Sequence, residues 1–219
     1  MFAEELISTD IFPLKKTDTC ENAILFMHDW KVFHLPVADS GKLLGYVTYD
    51  ELSSQPETTR IEQFIQPLLQ LHIRKGQHLF DIIRQMAESG FTSIAVTDEE
   101  INYIGAVSAR EIANVYKNSS LSQPGGIVAI EMNPQDYSLG ELARIVEYND
   151  AKILHVFIST APENNGRIIV SLKLNRPELT TVIQTLERYQ YTIHSVHQIA
   201  DQGNDLGNRY DWLIKYLNT

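Results

Sequence analysis

The chain has 219 residues, is 43% hydrophobic and 21% charged, and carries a formal net charge of −10. That length suits one large domain or two small ones, and the acidic balance argues against a nucleic-acid partner, because phosphate binding needs a positive face. The acidic excess is seven before residue 120 (17 acidic against 10 basic) and three after it (11 against 8), so no basic module hides behind an acidic one. Cys20 is the only cysteine, which excludes an intrachain disulfide framework. No apolar run approaches the roughly 20 residues of a membrane span, and Met1-Phe2-Ala3-Glu4-Glu5 is acidic where a secretory signal is basic. The expectation is a cytoplasmic protein with no membrane and no nucleic-acid partner. An anionic ligand would need local cations, for which Lys15-Lys16, Arg74-Lys75 and Arg110 are the candidates.

An internal repeat organises the first half. Residues 20–39 laid on 79–98, a shift of 59, bring Ala23, Ile24 and Met27 onto Ile82, Ile83 and Met86, and Leu35 and Val37 onto Ile94 and Val96. One inserted residue changes the shift to 60. Leu44-Gly45-Tyr46-Val47-Thr48 then matches Ile104-Gly105-Ala106-Val107-Ser108, and Glu51-Leu52 matches Glu111-Ile112. The spacing predicts a short amphipathic helix, a strand with Leu35 and Val37 (or Ile94 and Val96) on one face, a turn, and a second strand entering a helix, all twice. A unit of about 60 residues buries little surface alone, so the copies are expected to pack on each other.

Each copy resembles a CBS motif, and the tandem resembles a Bateman module. The likeness rests on His34-Leu35-Pro36-Val37-Ala38-Asp39 with Gly45-Tyr46-Val47-Thr48-Tyr49-Asp50-Glu51-Leu52, and on Ser93-Ile94-Ala95-Val96-Thr97-Asp98 with Gly105-Ala106-Val107-Ser108-Ala109-Arg110-Glu111-Ile112. It covers roughly residues 1–118. The resemblance implies a nucleotide cleft: a hydroxyl facing phosphate (Thr48, Ser108), a carboxylate on ribose, and strand residues lining an adenine pocket (Leu35 and Pro36, Ile94 and Ala95). Arg110 adds a guanidinium beside Ser108, and a helix N-terminus there would offer free N–H groups to an anion. Both copies carry glutamate, Glu51 and Glu111, where the resemblance implies aspartate. Thr48-Tyr49-Asp50-Glu51 and Ser108-Ala109-Arg110-Glu111 also fit the capping box, worth roughly 1 kcal/mol as helix N-caps, and both readings stand at this point. Copy two is the preferred phosphate end, since Asp50 in copy one would oppose an anion.

A polar, turn-rich linker over 119–125 precedes a second pattern. Ile127 to Met132 reads as a strand, and Ser138-Leu139-Gly140-Glu141 opens a helix with Leu142, Ile145 and Val146 on one side. Ile153 to Ser159 is a strand, 162–166 a turn, and Ile168 to Leu174 a strand. A helix follows near Pro177, and Tyr191 to Val196 closes the set. The order β-α-β-β-α-β is ferredoxin-like. With Leu139-Gly140-Glu141-Leu142-Ala143-Arg144-Ile145 opening its helix, residues 126–197 resemble an ACT domain. Tyr210, Leu213, Ile214 and Leu217 have helical spacing in a tail over 198–219, expected to pack on its own domain or in a dimer contact. The expected fold class is thus α/β and α+β: CBS repeats over 1–60 and 61–118, packed as a pair, then an ACT-like domain. This order is similar in architecture to regulatory proteins associated with acetoin utilisation.

The residues offer little to catalysis. Cys20 has no signature around it; His194 and His197, three apart in a strand, are expected on opposite faces; and His28-Asp29 are neighbours that a helix does not turn towards each other. No Walker loop, G-x-G-x-x-G, H-E-x-x-H or G-x-S-x-G occurs. The expectation is a non-enzymatic sensor needing no cofactor, regulated by AMP, ADP, ATP or S-adenosylmethionine and, from both resemblances, a homodimer. Its rivals are a CBS dimerisation scaffold that has lost ligand binding, and an amino-acid sensor working through the ACT-like domain.

Overall fold

The structure, a computed structural model, describes residues 1–162 and 166–198. The tail pattern over 206–217 lies outside the described residues, as does the middle of the turn over 162–166. The chain divides into two compact units, Met1–Val115 and the residues from Tyr116 onward.

In the first unit the repeat becomes geometry. Helix α1 (Cys20–Trp30) and helix α3 (Leu79–Ser89) coincide under the shift of 59. Both end on a left-handed residue, Lys31 (φ 58) and Gly90 (φ 73), in equivalent positions. Strands β1 (His34–Asp39) and β2 (Lys42–Thr48) form an antiparallel hairpin, answered by β4 (Ser93–Thr97) and β5 (Tyr103–Ser108). Helices α2 (Tyr49–Leu52) and α4 (Ala109–Lys117) follow. The second copy opens with a short strand, β3 (His72–Arg74), parallel to β4 with Ile73 opposite Val96. The first copy has a single parallel bridge at the equivalent place, Leu14 opposite Val37.

The predicted one-faced alternation in β1 gives way to a different pattern. From Leu35 to Ala38 every residue is buried, and all of β4 is buried. Both faces of these strands are covered, as in a strand at the centre of a packed layer.

The copies also exchange their leading segments. A 3₁₀ turn at Ala3–Leu6 sits on the second copy: Ala3 N donates to Gln77 O (2.9 Å) and Ser8 N to Ala106 O (2.8 Å). Its counterpart at Ile61–Phe64 sits on the first copy: Ile61 N donates to Asp18 O (2.9 Å) and Gln66 N to Tyr46 O (2.8 Å). Ala3 and Leu6 therefore belong to a core with Ile73, Ile82, Ile94 and Val107. Ile61 belongs to the core of Leu14, Met27, Leu35 and Val47.

In the second unit, β6 (Ile127–Met132), α5 (Leu139–Tyr148), β7 (Ile153–Thr160), β8 (Ile168–Leu174), α6 (Thr180–Arg188) and β9 (Thr192–His197) follow the predicted β-α-β-β-α-β order. The sheet order is β7-β8-β6-β9 with all neighbours antiparallel, the ferredoxin-like arrangement. One face of the sheet is buried by the helices through Val128, Ile130, Leu142, Val146, Leu172 and Leu186. A register shift between Ala129 and Ile130 upsets the alternation along β9. His194 lies 3.7 Å from Glu131 while His197 registers with Ile127, so both fall on one side of the sheet, not on opposite faces as expected. They stand at separate ends of β6, about four strand residues apart, too far to share a metal.

Candidate functional site

Each copy brings its hydroxyl and glutamate to a turn between the hairpin's second strand and a helix. In copy one, Thr48 is extended (φ −115, ψ 149) and its Oγ1 accepts from Glu51 N at 3.4 Å, half of a capping box. Glu51 does not close the box. Its Oε2 accepts from Gln66 Nε2 at 3.0 Å, a residue of the segment joining the copies. That segment lies hard against β2. Gly45 has φ 148, and a Cβ there would stand 2.1 Å from Gln66 O, so glycine is what lets the strands pair at this point.

In copy two the box closes. Ser108 N donates to Glu111 Oε2 at 3.0 Å, the Ser108 hydroxyl also bonds to that oxygen, and Arg110 N donates to Ser108 Oγ at 3.2 Å. The leading segment of the chain packs beside this strand, with Ile7 against Gly105. Asp10, from the same segment, pairs with Arg110 at 3.9 Å, with side chains 64% (Arg110) and 59% (Asp10) exposed. An ion pair so solvated contributes roughly 0–1 kcal/mol, so Arg110 can leave Asp10 for a ligand at little cost.

The helix ends are less open to an anion than expected. Helix α2 is a single turn, and the first amide of each helix is already paired: Tyr49 N donates to Phe33 O (2.8 Å) and Ala109 N to Thr92 O (3.0 Å). Phosphate recognition would thus fall on hydroxyls and the guanidinium. Leu35 and Ile94 have no exposed surface and lie in separate cores. Pro36 is also buried, its carbonyl accepting from Leu14 N (2.9 Å), and Ala95 N donates to Tyr46 Oη (2.9 Å). The structure therefore gathers Thr48 and Glu51 with Gln66, and Ser108, Arg110 and Glu111 with Asp10, while the four strand residues pack inside. Of the other expected cations, Lys16 pairs with Asp39 (2.9 Å) and Arg74 with Glu99 (3.4 Å).

Between the copies runs a seam that the sequence did not announce. The Tyr46 ring enters the second copy's core, where its hydroxyl donates to Leu71 O (2.5 Å) as well as accepting from Ala95 N. Burial pushes the phenol well above its ordinary range, so it stays neutral and serves both bonds. His34 stacks on Phe91 (ring centroids 4.0 Å, 19° between planes), and its Nδ1 accepts from Thr92 N at 3.3 Å. Burial lowers the imidazole's pKa, against a smaller opposing pull from the Asp50 carboxylate.

The catalytic candidates fare as follows. Cys20 is buried, and burial pushes its thiol up, away from nucleophilic thiolate. His28 and Asp29 approach to 3.8 Å despite being sequence neighbours, but at 76% and 71% exposure they form a solvated surface pair. Among the described residues no three His, Cys, Asp or Glu side chains cluster in a way that could hold a metal ion. No described helix is long and apolar enough to cross a membrane.

Comparison with known proteins places this geometry. Residues 3–55 and 70–118 match the CBS domain family. An uncharacterized protein of Methanocaldococcus jannaschii is 22% identical over 109 residues, 49% of this chain and 41% of its own length. The inosine-5'-monophosphate dehydrogenase of the same organism is 21% identical over 175 residues, 78% of this chain and 34% of its own length. The chain thus spans less than half the length of these curated relatives. Among solved structures, a CBS domain pair/ACT domain protein from Thermotoga maritima is similar at 17% identity, covering 52% of this chain and 95% of its own, with a TM-score of 0.47. The two copies read from the repeat, with their duplicated hairpins and exchanged leading segments, are tandem CBS domains.

Proposed function

We propose that the CBS pair is a regulatory sensor of an adenine nucleotide or a related phosphate-bearing ligand, and that the turn of copy two at Ser108–Glu111 is its working site. The observation that carries this reading is the turn at Ser108–Glu111. There a hydroxyl, an exposed guanidinium and a carboxylate belong to one turn, and the guanidinium is paired with a solvated partner, Asp10. Arg110 suits phosphate oxygens, and Glu111 would take ribose hydroxyls by giving up its bonds to Ser108. Copy one has Asp50 beside Thr48 and a glutamate already bonded to Gln66, which favours a structural role for that turn. A ligand seated in copy two would change the relative orientation of the copies by as much as its affinities for the two arrangements differ. The role is regulation in the cytoplasm, with no reaction catalysed.

The test is a thermal-shift and calorimetric titration of the full chain with AMP, ADP, ATP and S-adenosylmethionine. Binding to the native protein and a Kd at least tenfold higher in Arg110→Ala (about 1.4 kcal/mol) is the expected outcome. No response at millimolar ligand overturns the reading and leaves a scaffold.

A second reading rests on a recess of about 590 Å³ at the N-terminus of α5, whose walls include Glu131, Tyr137, Ser138, Glu141, Arg167 and Tyr191. Both signs of charge meet there, as recognition of an amino acid's ammonium and carboxylate requires, which suits an ACT-like role for the second unit. A rise in melting temperature with an amino acid, and none with nucleotides, transfers sensing to that unit.

A further inference from the structure

A recess of about 480 Å³ opens between α5 and α6 of the second unit, lined by Arg144, Ile145 and Tyr148 from α5 and by Thr185, Arg188 and Tyr189 at the end of α6. Helical spacing brings them there. Arg144 and Tyr148 stand one turn apart on α5, and Thr185 stands one turn before Arg188 and Tyr189. No aspartate or glutamate is among the described residues that line the recess, and neither guanidinium has an ion-pair partner among the described residues. Glu141, one turn before Arg144, belongs to the other recess of this unit, its Oε2 accepting from Tyr191 Oη at 3.4 Å. In a chain of net charge −10, two cations are thus gathered where no carboxylate answers them.

One of the two is held in place from below. Thr185 is a polar residue in the buried row of α6, with Val182 and Leu186. Its hydroxyl is fully used: it donates to Thr181 O (2.8 Å) and accepts from Asn149 Nδ2 (3.2 Å) and Arg188 Nη2 (3.2 Å). Asn149 is fixed in turn by a second bond, to Ile145 O (2.8 Å). An apolar residue at position 185 would fill the core without needing any of these bonds. What the threonine adds is a fixed point for the Arg188 guanidinium, whose remaining N–H groups are left for a ligand.

We propose that this recess binds a phosphate monoester with a planar aromatic body. The fork of a guanidinium matches phosphate oxygens, and two of them balance a dianion. The C-terminal end of α6 opposes an anion with about half a charge, set against two full positive ones. The volume is that of a small-ligand site and not of a lone ion. Tyr148 and Tyr189, 81% and 57% exposed, offer ring faces to an aromatic body. With the Thr185 hydroxyl taken up, ligand bonds fall to the guanidiniums and the tyrosine hydroxyls. The recess has no residue in common with the Ser108–Glu111 turn and does not depend on what that turn binds. It shares only Tyr189 with the recess at the N-terminus of α5.

The test is titration of the full chain with phenyl phosphate and, separately, with inorganic phosphate, followed by calorimetry and by the phosphorus NMR line of the ligand. Phenyl phosphate is expected to bind, and inorganic phosphate to bind more weakly. Arg144→Gln and Arg188→Gln, both exposed changes, should each raise the Kd for phenyl phosphate about tenfold, as loss of a charged hydrogen bond does. Thr185→Val, which keeps the shape and frees Arg188, should raise it about threefold, the cost of ordering a loose side chain. Tyr148→Ala should weaken phenyl phosphate and leave inorganic phosphate unchanged. Arg110→Ala should change neither, which separates this recess from the nucleotide turn. No binding of phenyl phosphate at millimolar concentration overturns the proposal. So does a Kd unaltered in Arg188→Gln, or one that rises in Arg110→Ala instead. Inorganic phosphate binding as tightly as phenyl phosphate overturns it too, and reduces the recess to a patch for simple anions.

Discussion

Position 46 in the first copy and position 106 in the second are equivalent by the repeat, yet the residues there do unequal work. Tyr46 crosses into the second copy's core and bonds two of its backbone groups through one hydroxyl. Ala106 occupies the mirror position in the first copy's core and has no polar group to offer. The glycines one residue earlier differ in the same sense. A Cβ on Gly45 would strike the Gln66 carbonyl at 2.1 Å, whereas one on Gly105 would meet only the Ile7 side chain, at 2.4 Å. The backbone trace is duplicated, but the second copy leans on the first more than the reverse. Symmetry of fold here does not imply symmetry of stability.

That inequality can be broken by mutation. The largest effect is expected from Gly45→Ala, which combines a backbone clash with a left-handed φ of 148. A loss of more than about 3 kcal/mol is expected, against about 1–2 kcal/mol for Gly105→Ala, where Ile7 can turn aside. Equilibrium urea unfolding of both variants checks the ranking, and equal losses would show the two junctions to be alike. Next is Tyr46→Phe, which strands Leu71 O and Ala95 N in an apolar core. A cost of about 2–4 kcal/mol follows from two unpaired buried groups, measurable in the same assay.

The smallest effect concerns the seam at His34. Its folded-state pKa lies below the ordinary value of 6.5 because burial disfavours the imidazolium. The unfolded chain therefore binds the extra proton first as pH falls. Stability held above about pH 6.5 should decline below it, and in His34→Gln that part of the decline should disappear. Melting curves between pH 7.5 and 5.5 are the measurement; identical slopes for the two proteins would remove His34 from the pH response.

Much of this fold could be read in the residues. The shifts of 59 and 60 that align Met27 with Met86 and Gly45 with Gly105 also superimpose α1 on α3 and β2 on β5. The alternation from Ile168 to Leu174 matches β8 at both ends. Such features are local, with a period that a window of ten residues can reveal. The exchange of leading segments was not legible, because 3₁₀ turns of four residues carry no period and their partners lie far along the chain. For the same reason the site was half visible. Thr48, Glu51, Ser108 and Glu111 announce their turns by spacing. That Glu51 meets Gln66, or Arg110 meets Asp10, is decided by tertiary packing across the seam. The bulge in β9 that brings His194 and His197 to one side was likewise invisible, since a single extra residue leaves no mark on composition.

The exchanged segments bear on how the pair comes into being. As the chain emerges in order, copy one lacks Ile61 from its interior until the linker and the start of the next repeat have appeared. Copy two, made later, waits on nothing further, because Ala3 and Leu6 have been ready from the outset. A cut between the repeats would therefore not yield two small domains. It would yield two halves that each hold a piece of the other, competent to reassemble when mixed and prone to trade partners at high concentration.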